Sequence, residues 1–173
     1  YERAGVKALS VLTEKNYFKG EIDHLSFIKQ NTNIPILRKD FIIDAYQIYE
    51  SKLIGADCIL LIAAILSDEQ LQNFTNIADQ LGLDYIIEIH DKDELSRVEI
   101  FSKAIIGVNN RDLKTFEVDI NNSILLRNEF KQDNVFVSES GIKSRKDIDM
   151  LKENNINVFL IGESLMKGDF FAT

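Results

Sequence analysis

The chain has one cysteine, one proline and eight glycines in 173 residues. A single cysteine excludes an internal disulfide, and its place in the apolar run CILLI marks Cys58 as a buried, inert thiol to which no chemistry is assigned. No apolar run approaches the ~20 residues that a membrane span needs. The opening YERAGVK lacks the charged start, apolar centre and small-residue cleavage site of a signal peptide, so a cytoplasmic protein is expected. Basic residues are outnumbered, 20 against 28 acidic, for a formal net charge of -8. With no basic cluster above that background, nucleic acid and anionic membrane surfaces are poor partners. Neither GxGxxG after the first strand nor GxxxxGK followed by Ser or Thr occurs, which removes the common nucleotide-binding motifs. A small anionic substrate is still allowed, held by local donors and helix N-termini.

What is present is the composition of one compact α/β domain over residues 1–173, 45% hydrophobic and 28% charged. Six short apolar runs each give way to polar residues: Ser10 with Thr13-Glu14, Lys39-Asp40, Glu88 to Asp91, Asn109 to Asp112, Ser138 to Gly141, and Gly162 to Ser164. Strands buried on both faces read as such runs, and in a β/α barrel their C-terminal ends form the active-site mouth.

Strands are expected near Ala8 to Leu12, Ile34 to Arg38, Cys58 to Ile62, Asp84 to Ile89, Ala104 to Val108, Val135 to Ser138 and Val158 to Ile161. Helices are expected near Ile22 to Gln30, Asp44 to Leu53, Ser67 to Leu81, Lys92 to Phe101, Ile120 to Phe130 and Ser144 to Glu153. Gly55, Gly82 and Asn155 each supply a left-handed residue to stop a helix two or three residues before the next strand. Short loops between alternating elements imply a parallel sheet with right-handed crossovers, closed as a barrel or open and doubly wound. Polar groups at most strand ends favour the (β/α)8 barrel over a sheet with one switch point. Seven strands are counted and the chain opens in what reads as a helix end, so about seven of eight units are expected here, with one upstream.

Lys39 follows Leu37 in phase, which puts it at the top of the barrel interior as a candidate proton donor. Glu88 interrupts Tyr85, Ile86, Ile87 and Ile89, and a carboxylate within a buried strand needs a partner or a role. Glu139 stands two residues beyond Val137, and Asn109 just beyond Val108. Gly141 and Gly162-Glu163 lead into helical stretches whose N-H groups suit a phosphate. His24 is expected on a helix, at the surface or half-buried. His90 lacks the companions of a metal ligand, and no metal is expected. Phe18 is a candidate pocket wall.

At these residues the sequence resembles the indole-3-glycerol-phosphate synthase family of tryptophan biosynthesis. The matching stretches, in order, are ALSVLTEKNYFKG, IPILRKDFIID, ADCILLIAAIL, IIEIHD, IIGVNNRDLKTFEVD, VSESGI and FLIGESLM. The resemblance implies a carboxy-lyase that closes 1-(2-carboxyphenylamino)-1-deoxyribulose 5-phosphate to the indole ring with loss of carbon dioxide and water, using no cofactor and no metal. It implies that Lys39 protonates the substrate carbonyl and that Glu88 is an acid/base group for later steps. Asn109 and Glu139 would polarise or orient the reacting portion beside Arg111 and Ser140. Phe18, Phe41 and Leu60 would line the anthranilate ring, and Gly141, Gly162 and Glu163 would hold phosphate through their backbones. The family's first strand carries another lysine and glutamate in a segment rich in Lys, Ser and Pro, which this sequence does not contain. A non-catalytic barrel that binds sugar phosphate or a partner, and a neighbouring barrel such as phosphoribosylanthranilate isomerase, are the alternatives.

Overall fold

The computed structural model describes residues 1–113 and 115–168. Strands and helices alternate: β1 Leu9–Leu12, α1 Ile22–Asn31, β2 Ile36–Lys39, α2 Ala45–Leu53, β3 Cys58–Ile62, α3 Asp68–Leu81, β4 Asp84–Ile89, α4 Lys92–Val98, β5 Ile105–Asn109, α5 Asn121–Glu129, β6 Phe136–Glu139, α6 Arg145–Glu153, β7 Val158–Leu160 and α7 Glu163–Lys167. Every described pairing between strands is parallel and joins neighbours in the chain: Leu37 stands opposite Ser10 and Cys58, and Val137 opposite Gly107 and Val158, while an isolated antiparallel bridge joins Arg111 and Val118. This is a partial (β/α)8 barrel fold, seven strands with their helices. The chain forms two compact units, one up to Ile86 and one from Ile87 onward.

The elements start and stop where local chemistry demands. Capping boxes open three helices, Asp44 with Gln47 at α2, Ser67 with Gln70 at α3 and Ser144 with Asp147 at α6. The expected helix exits hold: Gly55, Gly82 and Asn155 have φ of +93°, +61° and +60°. Two boundaries move by more than one residue. Strand β2 starts at Ile36 rather than Ile34, because Pro35 has no N-H to give a ladder and only its carbonyl is used, by Leu9 N-H at 2.9 Å. Helix α4 stops at Val98 instead of reaching Phe101. Strands β2, β5 and β6 run through Lys39, Asn109 and Glu139, so these side chains belong to the ladders themselves.

In the first unit, Val11, Leu25, Ile36 and Ala56 pack together with Ile28 and Ile54, joining β1 and β2 to α1. Lys29 binds both carboxylate oxygens of Asp57, at 2.8 and 2.6 Å, and one of those oxygens accepts the N-H of Ile36 at 2.8 Å. Arg38, 2% exposed, sits on the helix-facing side of β2. Its guanidinium meets Asp40 Oδ2 at 2.9 Å, Glu50 Oε2 at 2.8 Å, the Gln47 carbonyl and Ser51 Oγ at 3.1 Å each, and Thr13 Oγ1 at 3.0 Å.

This network corrects one expectation. Polar residues at strand ends do not all reach the mouth: Asp40 is committed to Arg38. In the second unit, Asn110 and Ser138 are committed likewise. The Asn110 amide donates to Ser138 Oγ at 3.0 Å and to the Ser140 carbonyl at 3.1 Å, while its oxygen accepts from Ser123 N-H and Oγ on α5 at 3.1 and 2.8 Å. Buried polar groups so fully paired stabilise one arrangement and are costly to break singly.

Replacing Arg38 by Met leaves the Asp40 and Glu50 carboxylates without their shared cation. A loss of about 3 kcal/mol is expected from breaking a buried pair on one side, read from the urea midpoint. Lys29→Met, at a half-exposed pair, is expected to cost under about 1 kcal/mol. Equal losses in the two variants would contradict this assignment of the networks.

Candidate active site

In the first unit, strand alternation puts Leu37 and Lys39 on one face and Ile36 and Arg38 on the other. Lys39 is half-buried at the C-terminal end of β2, and its carbonyl accepts Thr13 N-H at 3.2 Å. Leu60, wholly buried, is in the middle of β3. Phe18 and Phe41 stack with ring centroids 4.9 Å apart and planes 19° apart, and Tyr17 meets Phe41 edge-on at 5.8 Å. Both sides of that stack are fixed from below. Asp40, with Oδ2 on Arg38, accepts Phe41 N-H on Oδ1 at 2.8 Å. Glu14 accepts the N-H groups of Asn16, Tyr17 and Phe18 at 2.6, 2.5 and 3.0 Å, curling the loop after β1 so that Phe18 is presented. Cys58 is inert, since burial pushes its thiol up to about 12.

The second unit gathers Glu88, Asn109 and Ser140, with Arg111 reached through its backbone. Asn109 and Glu139 are in register and share a face with Leu160, whereas Val108, Ser138 and Phe159 face the helices. Glu139 is 1% exposed and Glu88 3%, each at the C-terminal end of its strand. The Asn109 side chain is locked. Its oxygen accepts Ser140 Oγ-H at 2.8 Å and Arg111 N-H at 3.1 Å, which leaves its NH2 to point at Glu88 Oε1, 3.3 Å away. Ser140 makes this contact from a left-handed backbone, φ +66°, and Gly141 follows at +80°. A Cβ on Gly141 would also stand 2.5 Å from Val118 Cγ1, so a side chain there meets both a strained backbone and a neighbour.

The expected phosphate turns are placed as follows. Gly162 and Glu163 lie at the first turn of α7, where helix N-H groups have no intrahelical partner. The Glu163 carboxylate is held by Lys167 at 2.7 Å and lies 3.7 Å from Arg111, and Lys167 keeps its pKa below the ordinary range. Ser164 Oγ donates to the Ile142 carbonyl at 2.8 Å and ties the two turns together. The N-H groups of Lys143 and Ser144, leading into α6, are taken by Asp147 Oδ2 at 2.9 and 2.8 Å, because the capping box uses them.

His90 is the residue whose setting the sequence did not disclose. Its ring lies between Glu94 Oε2, 3.1 Å from Nδ1, and Glu88 Oε1, 3.4 Å from Nε2; the second is a charge contact without hydrogen-bond alignment. Burial pulls the imidazole's pKa down, but the two carboxylates outweigh it and raise the value to about 9. The available signal was the spacing Glu88, His90, Glu94, which combines strand period two with a helix start. His24 is exposed on α1, as expected. Among the described residues no group of three His, Cys, Asp or Glu is placed to hold a metal, and no helix is long and apolar enough to cross a membrane.

Parallel βα units carrying ionisable and amide side chains at the C-terminal ends of their strands define a β/α-barrel protein of the kind whose chemistry sits at that end. The chain belongs to the indole-3-glycerol phosphate synthase family, whose profile matches residues 1–172. It is similar to the indole-3-glycerol phosphate synthase of Endomicrobium trichonymphae, 54% identical over 172 residues, covering 99% of this chain and 67% of that protein. The Acetivibrio thermocellus protein of the same name is 52% identical over 167 residues, covering 96% and 64%. That of Legionella pneumophila strain Lens is 48% identical over 169 residues, covering 98% and 66%. The chain thus spans about two thirds of the length of these relatives.

Because the folded His90 titrates near 9 against an ordinary 6.5, its pairing contributes stability that is complete below pH 6.5 and is lost as pH rises through about 9. The urea midpoint of the wild type relative to His90→Asn is therefore expected to be highest at pH 6 and to converge on the variant's by pH 10. A gap that widens with pH would contradict the pairing.

Proposed function

We propose that the protein is a lyase that closes 1-(2-carboxyphenylamino)-1-deoxyribulose 5-phosphate to indole-3-glycerol phosphate, releasing carbon dioxide and water. The observation that carries this reading is the locked Asn109 amide aimed at the buried Glu88 carboxylate, an arrangement that fixes an acid/base group before substrate arrives. Family membership supplies the reaction, and the residues supply roles for each part of the substrate. Lys39 donates a proton to the substrate carbonyl as the ring closes, turning that oxygen into a hydroxyl. Carbon dioxide then leaves from the aromatic carbon that formed the new bond. Glu88 takes and returns protons in the later steps, which end in loss of the hydroxyl as water.

The remaining residues bind and orient. The stacked Phe18 and Phe41, with Leu60, offer flat apolar surface to the anthranilate ring. Asn109, Glu139, Arg111 and Ser140 orient the reacting carbons. Backbone N-H groups at Gly141, Gly162 and Glu163 receive the phosphate, a role that leaves the Glu163 carboxylate on Lys167. The substrate is a small anionic sugar phosphate, in keeping with a chain whose net charge of -8 offers no large basic surface. A cytoplasmic setting is proposed with it.

Lys39→Met keeps the aliphatic stem and removes the proton; kcat is expected to fall far more than KM rises in the full-length protein. Glu88→Gln keeps shape and most hydrogen bonds, and is expected to lower turnover by about 10²-fold or more. Steady-state assays at several pH values check both. Loss of substrate affinity alone in Lys39→Met would make Lys39 a binding group, and a fully active Glu88→Gln enzyme would leave Glu88 a structural role.

A further inference from the structure

His90 has no part in the reaction as outlined, yet its ring is delivered to Glu88 by contacts from two other elements. Glu94 Oε2, on α4, accepts the backbone N-H of His90 at 2.8 Å as well as facing Nδ1 at 3.1 Å. The Glu94 N-H is itself bound to Asp91 Oδ1 at 2.9 Å, which caps α4 and sets the distance from helix to strand end. From α5, Asn122 Nδ2 donates to the His90 carbonyl at 2.9 Å. These contacts fix the ring's outer edge, and Nε2 is then left 3.4 Å from Glu88 Oε1.

A neutral imidazole has one N-H and one lone pair, so it can offer a proton to only one of two carboxylates. Carboxylates on both sides, one hydrogen-bonded at Nδ1 and one in charge contact with Nε2, favour the doubly protonated, cationic ring. The arrangement is then anion, cation, anion across Glu94, His90 and Glu88. The ionisable groups facing the ring are Glu88 from β4 and Glu94 from α4, while Asp91 is occupied by the cap and Lys92 by Glu129 of α5. From β5, Asn109 presents an amide donor to the same Glu88 oxygen that His90 faces.

We propose that His90, held as an imidazolium by Glu94, is the positioning residue of Glu88, keeping that carboxylate ionised and aimed beside Asn109. The inference rests on the acid/base reading of Glu88 given above. It adds to that reading the group that sets when Glu88 can accept a proton: a cation beside a buried carboxylate lowers its proton affinity and offsets the cost of burying its charge.

The test is a carbon-13 titration of the Glu88 carboxyl in the full-length protein, its His90→Asn variant and its Glu94→Gln variant, with kcat and KM measured over the same pH range. His90→Asn removes the charge and keeps a polar side chain; the Glu88 midpoint is expected to rise by about one pH unit. The acidic limb of kcat should move with it, lowering kcat by about tenfold below the limb, with KM changed less than about twofold. Glu94→Gln should shift both in the same direction by less, and it carries the test if His90→Asn does not fold. A Glu88 midpoint that stays put in a folded variant, or a kcat loss equal at every pH, would overturn the proposal. The titration needs no turnover, so a wild-type protein without lyase activity would remove the proposed function while the link between His90 and Glu88 is still decided by the spectra.

Discussion

The period-two alternation of a parallel strand governs what happens at its C-terminal end. Adjacent polar residues in the sequence are sent to opposite sides of the sheet and acquire unrelated tasks. Arg38 goes toward α2 and becomes the centre of a buried network, while Lys39 goes to the other face. Asn109 turns to Glu88, and Asn110 turns to Ser123 and Ser138. Ser138 faces α5, and Glu139 stands in register with Asn109. One face holds the loops and helices in place, and the other presents chemistry.

The two faces are nevertheless coupled through backbone groups. Asp40 is bound to Arg38 by one oxygen and by the other to the N-H of Phe41, so the ion-pair network sets the position of an aromatic ring in the Phe18 stack. Asn110 grips the Ser140 carbonyl and thereby supports the left-handed turn from which the Ser140 hydroxyl reaches Asn109. A residue held at positive φ without being glycine costs of order 1–3 kcal/mol and persists where its surroundings fix it. Here the fixing contacts lie on the helix-facing side.

Much of this was legible in the sequence because strands buried on both faces, capped helices and left-handed exits leave strong local marks. Seven strands, the helices between them, and the exits at Gly55, Gly82 and Asn155 follow from those marks. The placement of Glu88 at a strand end and of Glu139 on the face of Val137 was readable from phase alone, whereas Asn109 stands on the face opposite to the Val108 that precedes it. What was not legible is which of several nearby groups each polar side chain takes as its partner once strand and helix are in place, even where that partner is only two to four residues away. Asp40 and Lys39 stand side by side and only the buried Arg38 separates their tasks, whereas the Ser144 to Asp147 spacing is a local capping signature whose cost, the N-H groups ahead of α6, shows only in the folded turn. His90 lacks the companions of a metal ligand, and its ring answers instead to two carboxylates, one on the strand it follows and one on the next helix.

The proposed reaction is a ring closure with decarboxylation. The most direct measurement supplies the full-length protein with 1-(2-carboxyphenylamino)-1-deoxyribulose 5-phosphate labelled with carbon-13 in its carboxyl group, and counts labelled carbon dioxide against indole product. One labelled carbon dioxide is expected for each indole-3-glycerol phosphate formed. Binding of the substrate with the label wholly retained, or its conversion to an isomer of unchanged mass, would contradict it.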